Sequence, residues 1–150
     1  MYSNWSAFHA QLIRSVNRHS NTSHFPELIP KDIAGRSFRD PAQLLEWLHD
    51  RRGDPDLSNA VLRHLLVLAV AGDFRRELAL ELLFLALWPG LCLIRGRLRR
   101  YKALRQLDAD LISGLPTGIL GSDPEKVTRV AATLLRNLER DLRRSYQRDA

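Results

Sequence analysis

Apolar residues recur at three- and four-residue spacing along most of the chain, and no segment alternates convincingly in the two-residue period of a half-buried strand. "SAFHAQLIRSV" reads as a first helix, and residues 19–40, rich in Ser, Asn, Pro and Gly, read as a loop. Asp40 is placed to cap a helix opened by Pro41, "PAQLLEWLHDRR", which should stop at Gly53. "DPDLS" caps the next, "NAVLRHLLVLAVA", and the Gly72-Asp73 pair breaks it before "FRRELALELLFLALW". Pro89 and Gly90 are expected to kink or divide a long apolar segment that continues through "LCLIRGRLRRYKALRQL". Ser113-Gly114, Pro116, Gly118 and Gly121 oppose a continuous helix, so "GLPTGILGSD" is expected as a solvent-facing turn region. Asp123 and Pro124 then supply a cap and a first-turn proline for a helix running to about Tyr146.

This pattern predicts an all-α bundle of five to seven helices with no sheet. Leu82, Leu83, Leu85, Trp88, Leu91, Leu134 and Leu138 are expected in a common core. A chain of 150 residues, 45% apolar, is long enough to bury one such core. Residues 1–55 form an N-terminal helical extension on a domain over 56–150; Trp5, Phe8, Leu12, Leu44, Leu45 and Trp47 are too apolar for a solvated tail. "LLFLALWPGLCLI" is the feature closest to a membrane span. It has 13 residues where a span needs about 20, and arginines close in on both sides, so a buried central helix is the better reading.

Composition narrows the class further. The single Cys92 excludes an intrachain disulfide framework and a cysteine-based zinc site, and the mixed polar and aromatic N-terminus does not resemble a secretory signal, so a cytoplasmic protein is expected. The five histidines, His9, His19, His24, His49 and His64, fall on separate segments without an HExxH arrangement, so no metal is expected. The glycine-rich stretch lacks the Lys-Ser or Lys-Thr of a phosphate loop. Asp108 and Asp110, two apart on a helix, point in different directions and make a poor acid–base pair. An enzyme is not expected, nor a cofactor.

Charge is what separates one part of the chain from the rest. Residues 1–90 carry 10 basic against 10 acidic side chains and residues 91–150 carry 13 against 7, so the net charge of +6 resides in the last 60 residues. At about 100° per residue, Lys126, Arg129, Thr133, Arg136, Arg140, Arg143 and Arg144 fall within about one third of the last helix, opposite Val127, Val130, Ala131, Leu134, Leu138 and Leu142. Six positive charges then span about 27 Å at 1.5 Å per residue, with Glu139 and Asp141 on the flanks. A single-sign row of this kind suits phosphates, and Lys126, Arg129, Arg136, Arg140, Arg143 and Arg144 are the candidate DNA contacts, with weak sequence preference. The competing class is a helical interaction module in which "RLRRYKALR" and this last helix bind an acidic protein partner. Peripheral membrane association through residues 95–105 is a weaker third reading.

From about Asn59 to Tyr146 the chain resembles the second region of bacterial RNA polymerase sigma factors, especially the extracytoplasmic-function type. "VLAVAGD" followed by "ALELLFLALWPGLCLIRGRLRRY" is similar to that family's opening helices. "LDADLIS" is similar to the start of its polymerase-docking helix, and "LLRNLERDLRR" to the end of its promoter-facing helix. The resemblance implies a sigma-like, transcription-associated DNA-binding accessory protein without the family's downstream DNA-reading domain. It also implies contact with the polymerase core through Asp108, Asp110 and Leu111. Tyr101 and Tyr146, the only aromatic residues in the last 60, would be the candidates for stacking on unpaired bases.

Overall fold

The computed structural model describes residues 4–18 and 24–149, so residues 19–23 of the expected loop lie outside the described residues. Helices α1 (Asn4–Val16), α2 (Lys31–Ala34), α3 (Pro41–His49), α4 (Pro55–Ala71), α5 (Arg76–Leu98), α6 (Leu104–Leu120) and α7 (Val130–Asp149) follow one another among the described residues, with a 3-10 turn at Phe25–Glu27. No strand occurs among the described residues. The bundle is organised around α5, which packs against α1, α3, α4, α6 and α7.

Several boundaries follow the local chemistry. The Asp40 carboxylate accepts from the Gln43 amide at 2.8 Å, Asp54 does the same for Asp56 at 2.8 Å, and Pro41 and Pro55 occupy first-turn positions. Helix α3 ends at His49, short of Gly53. Gly72 closes α4 at φ 76°, and the Arg76 guanidinium donates to the Ala69 carbonyl at 3.0 Å, satisfying one of the helix's terminal acceptors.

Three expectations are corrected. Of the two outcomes expected at Pro89, division does not occur, and α5 runs continuously from Arg76 to Leu98. A proline here removes the donor for the Leu85 carbonyl four residues back, and His49 Nε2 from α3 lies 3.1 Å from that oxygen and 3.2 Å from the Ala86 oxygen. Both neighbours are acceptors, so Nε2 carries the proton, and the orphaned carbonyl is satisfied across the bundle.

Of the expected turn region over 114–123, residues 114–120 are instead the second half of α6, which runs unbroken through Gly114, Pro116 and Gly118, and only 121–123 leave the helix. Two glycines and a proline cost a helix about 5 kcal/mol. Against that, Leu107, Leu111, Leu115 and Ile119 stand at four-residue spacing and are fully buried, worth about 6–12 kcal/mol. Packing outweighs propensity. Gly114 also lets α7 pack closely, since a Cβ there would come within 2.7 Å of the Leu138 side chain and force it to shift.

The third correction concerns the start of α7. Asp123 caps only a turn, accepting from the Glu125 amide at 3.0 Å, and the helix begins at Val130. Its first amide bonds to Asn59 Oδ1 at 2.9 Å, while Asn59 and Arg63 of α4 donate to the Thr128 carbonyl and Arg63 also to that of Pro124. The cap is thus supplied by another helix.

The core contains Leu82, Leu83, Leu85, Leu91, Leu134 and Leu138. Trp88, expected in that core, is only half-buried, and its ring stacks on the Trp5 ring of α1 at 4.3 Å. Trp5, Leu12 and Leu44 are buried, and Phe8, Leu45 and Trp47 pack against the same core.

Candidate polyanion groove

Helix α7 buries Val130, Leu134, Leu138 and Tyr146 and leaves Arg136, Arg140 and Arg144 exposed on its other side. Across from them, α5 brings Arg97. Between the two helices lies an open groove of about 650 Å³ lined by Arg97, Arg136, Arg140, Arg143 and Arg144, with Glu139 as its one acidic residue and Leu135 and Gln147 completing the wall. The helices approach closely here because Gly90 has no Cβ to meet the Leu135 side chain.

Glu139 was expected on the flank of the basic row, and the fold brings it inside. Its carboxylate accepts from Arg97 Nε at 2.9 Å and Arg97 Nη2 at 2.8 Å, and from Arg143 Nη2 at 3.0 Å. Hydrogen bonds from Arg97, followed by the charges of Arg97 and Arg143, hold the Glu139 carboxyl below its ordinary range against the opposing effect of partial burial. The same hydrogen bonds raise the Arg97 guanidinium above its ordinary value. Arg143 Nε is buried without an acceptor.

The remaining residues of the expected row divide into different environments. Arg136 and Arg144 make no ion pair among the described residues. Arg140 meets Asp141 at 3.3 Å in an exposed pair, so the row is not of a single sign. Arg129 precedes the helix and pairs with Asp56 at 3.3 Å, both exposed, beside a second cleft of about 410 Å³ bordered by Asp50, Arg51, Leu62 and Ala132. Lys126 is exposed in the turn before α7 and does not belong to the helical row.

The residues expected to dock on a polymerase face inward. Asp108 is buried and takes a two-point contact from Arg95, at 2.6 and 3.2 Å. Leu111 is fully buried. Asp110 is half-buried and accepts from Tyr146 Oη at 2.6 Å and Gln106 at 2.8 Å. Tyr146 is therefore interior, its hydroxyl pushed well above its ordinary pKa by burial and by the Asp110 carboxylate, and its ring is not open to a base. Tyr101 remains half-buried beneath the Arg100 guanidinium.

Arg97 is the groove residue that the basic row of the last helix does not include; it belongs to the segment "RLRRYKALR" offered to an acidic partner. It stands among Arg95, Arg99 and Arg100, and nothing local distinguishes the arginine that faces α7 from the one that enters the core. Three histidines take structural places: His64 Nε2 lies 2.9 Å from the Leu28 carbonyl, His49 supports the proline site, and His9 packs on Trp88, while His24 is exposed and His19 lies outside the described residues. Helix α5 is the one helix among the described residues long and apolar enough to cross a membrane, and it lies at the centre of the bundle with much of its apolar surface covered by its neighbours. No family model matches this chain, and no curated protein or solved structure matches it either.

Proposed function

We propose that this is a cytoplasmic, non-enzymatic DNA-binding domain that grips the phosphate backbone through the α5–α7 groove. The observation that carries the reading is the convergence of five arginines from two helices on one open concavity against a single carboxylate. Arginine's planar fork suits phosphate oxygens, and an open groove admits a polymer where a closed pocket would not. The resemblance of Asn59 to Tyr146 to the second region of sigma factors supports a transcription-associated role. Polymerase contact would require a surface other than Asp108, Asp110 and Leu111, whose side chains are engaged within the fold.

The rival reading is a helical interaction module for an acidic protein. One observation favours it: Leu93 on α5 is 64% exposed and neighbours the exposed Cys92, an apolar strip beside Arg97 that a partner helix could cover. Replacing Arg136, Arg140 and Arg144 together with alanine separates the two. Under the DNA reading, the wild type shifts duplex DNA, its affinity falls steeply with salt, and the triple variant flattens the log–log salt slope by about 2 to 3. No shift at low ionic strength with duplex or single-stranded DNA, together with an acidic host protein captured by the wild type and lost by the variant, removes DNA and leaves the interaction module.

A further inference from the structure

Within the groove, the three-way contact of Arg97, Glu139 and Arg143 has a feature that diffuse basic charge does not need. A carboxylate at the centre of a polyanion site weakens attraction for any anion by plain electrostatics. Yet Glu139 is the residue through which Arg97 from α5 and Arg143 from α7 are held together, and it engages Arg97 through both carboxylate oxygens. Arginine side chains carry much rotamer freedom, and fixing them in advance reduces what a ligand must order on binding. Arg97 Nη1 has no partner among the described residues, Arg143 Nε is buried without an acceptor, and Arg136 is unpaired on the same wall. The groove wall thus carries guanidinium donors of Arg97 and Arg136 that no acceptor among the described residues engages.

We propose that Glu139 is a positioning residue that braces Arg97 and Arg143 into a seat for one phosphate group, with Arg136 completing it. The seat deepens the DNA reading and rests on it for the source of the phosphate, a backbone phosphodiester rather than a free phosphate ion.

Bulk electrostatics and bracing predict opposite signs, and the test uses that. Inorganic phosphate and pyrophosphate, titrated by NMR chemical shift, and a short DNA duplex, titrated by fluorescence anisotropy, are compared on the wild type, E139A, E139Q, R97K and the control E125Q. Glu125 is exposed and lies outside the groove. Bracing predicts that E139A weakens pyrophosphate and duplex binding by fivefold or more despite gaining a unit of positive charge. E139Q, which keeps one acceptor oxygen, falls between E139A and the wild type, and E125Q does not weaken binding. R97K keeps the charge but loses the fork, and it should also weaken binding severalfold; circular dichroism confirms that each variant is folded. The proposal is overturned if E139A and E139Q bind as tightly as the wild type or tighter, if R97K is unchanged, or if no probe perturbs the groove resonances. Phosphate and pyrophosphate binding with the expected variant order, but no duplex binding, upholds the seat and removes DNA as the source. Duplex binding that E139A strengthens upholds DNA and removes the seat.

Discussion

Two arginines placed two residues apart on α5 meet carboxylates in opposite surroundings. Arg95 turns to α6, where Asp108 is 7% exposed, and the pair lies under the Trp5 ring that α1 lays over the guanidinium at 5.3 Å. Arg97 turns to α7, is 52% exposed, and meets Glu139 at the floor of an open groove. Both use a two-point fork. In the first, removal of Arg95 strands the Asp108 carboxylate away from water and removal of Asp108 leaves a largely covered guanidinium unpaired; in the second, water replaces the partner at little cost. Similar ion-pair chemistry therefore holds the fold at one point and leaves a surface available for binding at the other.

The sharpest way to break that contrast is to remove each carboxylate. D108A should cost about 2–4 kcal/mol in chemical denaturation, because Arg95, 24% exposed and covered by the Trp5 ring, loses both of its charged hydrogen bonds. E139A should cost no more than about 1 kcal/mol, as expected for a partly exposed pair. Equal losses would mean that the groove is a structural feature and not a binding one.

Next in size is His49→Ala, which leaves the Leu85 carbonyl beside Pro89 without its donor and should destabilise by about 1–3 kcal/mol. Combining it with Pro89→Ala should recover part of the loss, since the alanine amide can serve the same oxygen from within α5. Additivity of the two losses would show that His49 acts in some other way.

A smaller effect concerns pH. The His9 imidazole, packed on Trp88, has its pKa lowered by burial and, secondarily, by the charge of His49. The unfolded chain therefore takes up this proton first. Stability contributed by neutral His9 is present above the unfolded value of about 6.5 and declines as pH falls through the folded value. Comparing urea midpoints at pH 7.5 and 5.5 should show this loss, and His9→Gln should reduce it. Glu139 acts in a lower window, since its carboxyl is depressed: its contribution is present above about 4.3 and declines as pH falls through the folded value. A groove carboxylate with no stability effect below pH 5 would place Glu139 even further from a structural role.

The smallest expected effects lie on α6, beneath the groove helix. Gly118 has open space where a Cβ would go, so Gly118→Ala should stabilise by about 0.5–1 kcal/mol through helix propensity. Gly114→Ala should instead destabilise, because its Cβ meets Leu138. Opposite signs at two glycines four residues apart would show that α6 is held by contact with α7. The same sign at both would show that propensity governs.

The helical class was legible because burial imposes a period. Val130, Leu134 and Leu138 recur at spacings that a helix turns to one side, the apolar run through Leu82, Leu83, Leu85 and Leu91 is buried all round as a central helix, and Asp40-Pro41 and Asp54-Pro55 mark starts with groups that act within a few residues. The basic row of α7 was legible for the same reason, as Arg136, Arg140 and Arg144 are related by the helix's own repeat. Other features depend on partners distant along the chain. That α6 continues through Pro116 depends on the buried face it presents, that α7 begins at Val130 depends on Asn59 of α4, and that Pro89 is tolerated depends on His49 of α3. Which arginine of 95 and 97 enters the core, and that Glu139 stands inside the groove instead of on its flank, was decided by how α5 lies between α6 and α7. Local sequence sets periods and caps because those forces act within a turn or two. The direction of a long charged side chain, and the capping of a helix from another helix, are set by neighbours that only the closed bundle brings together.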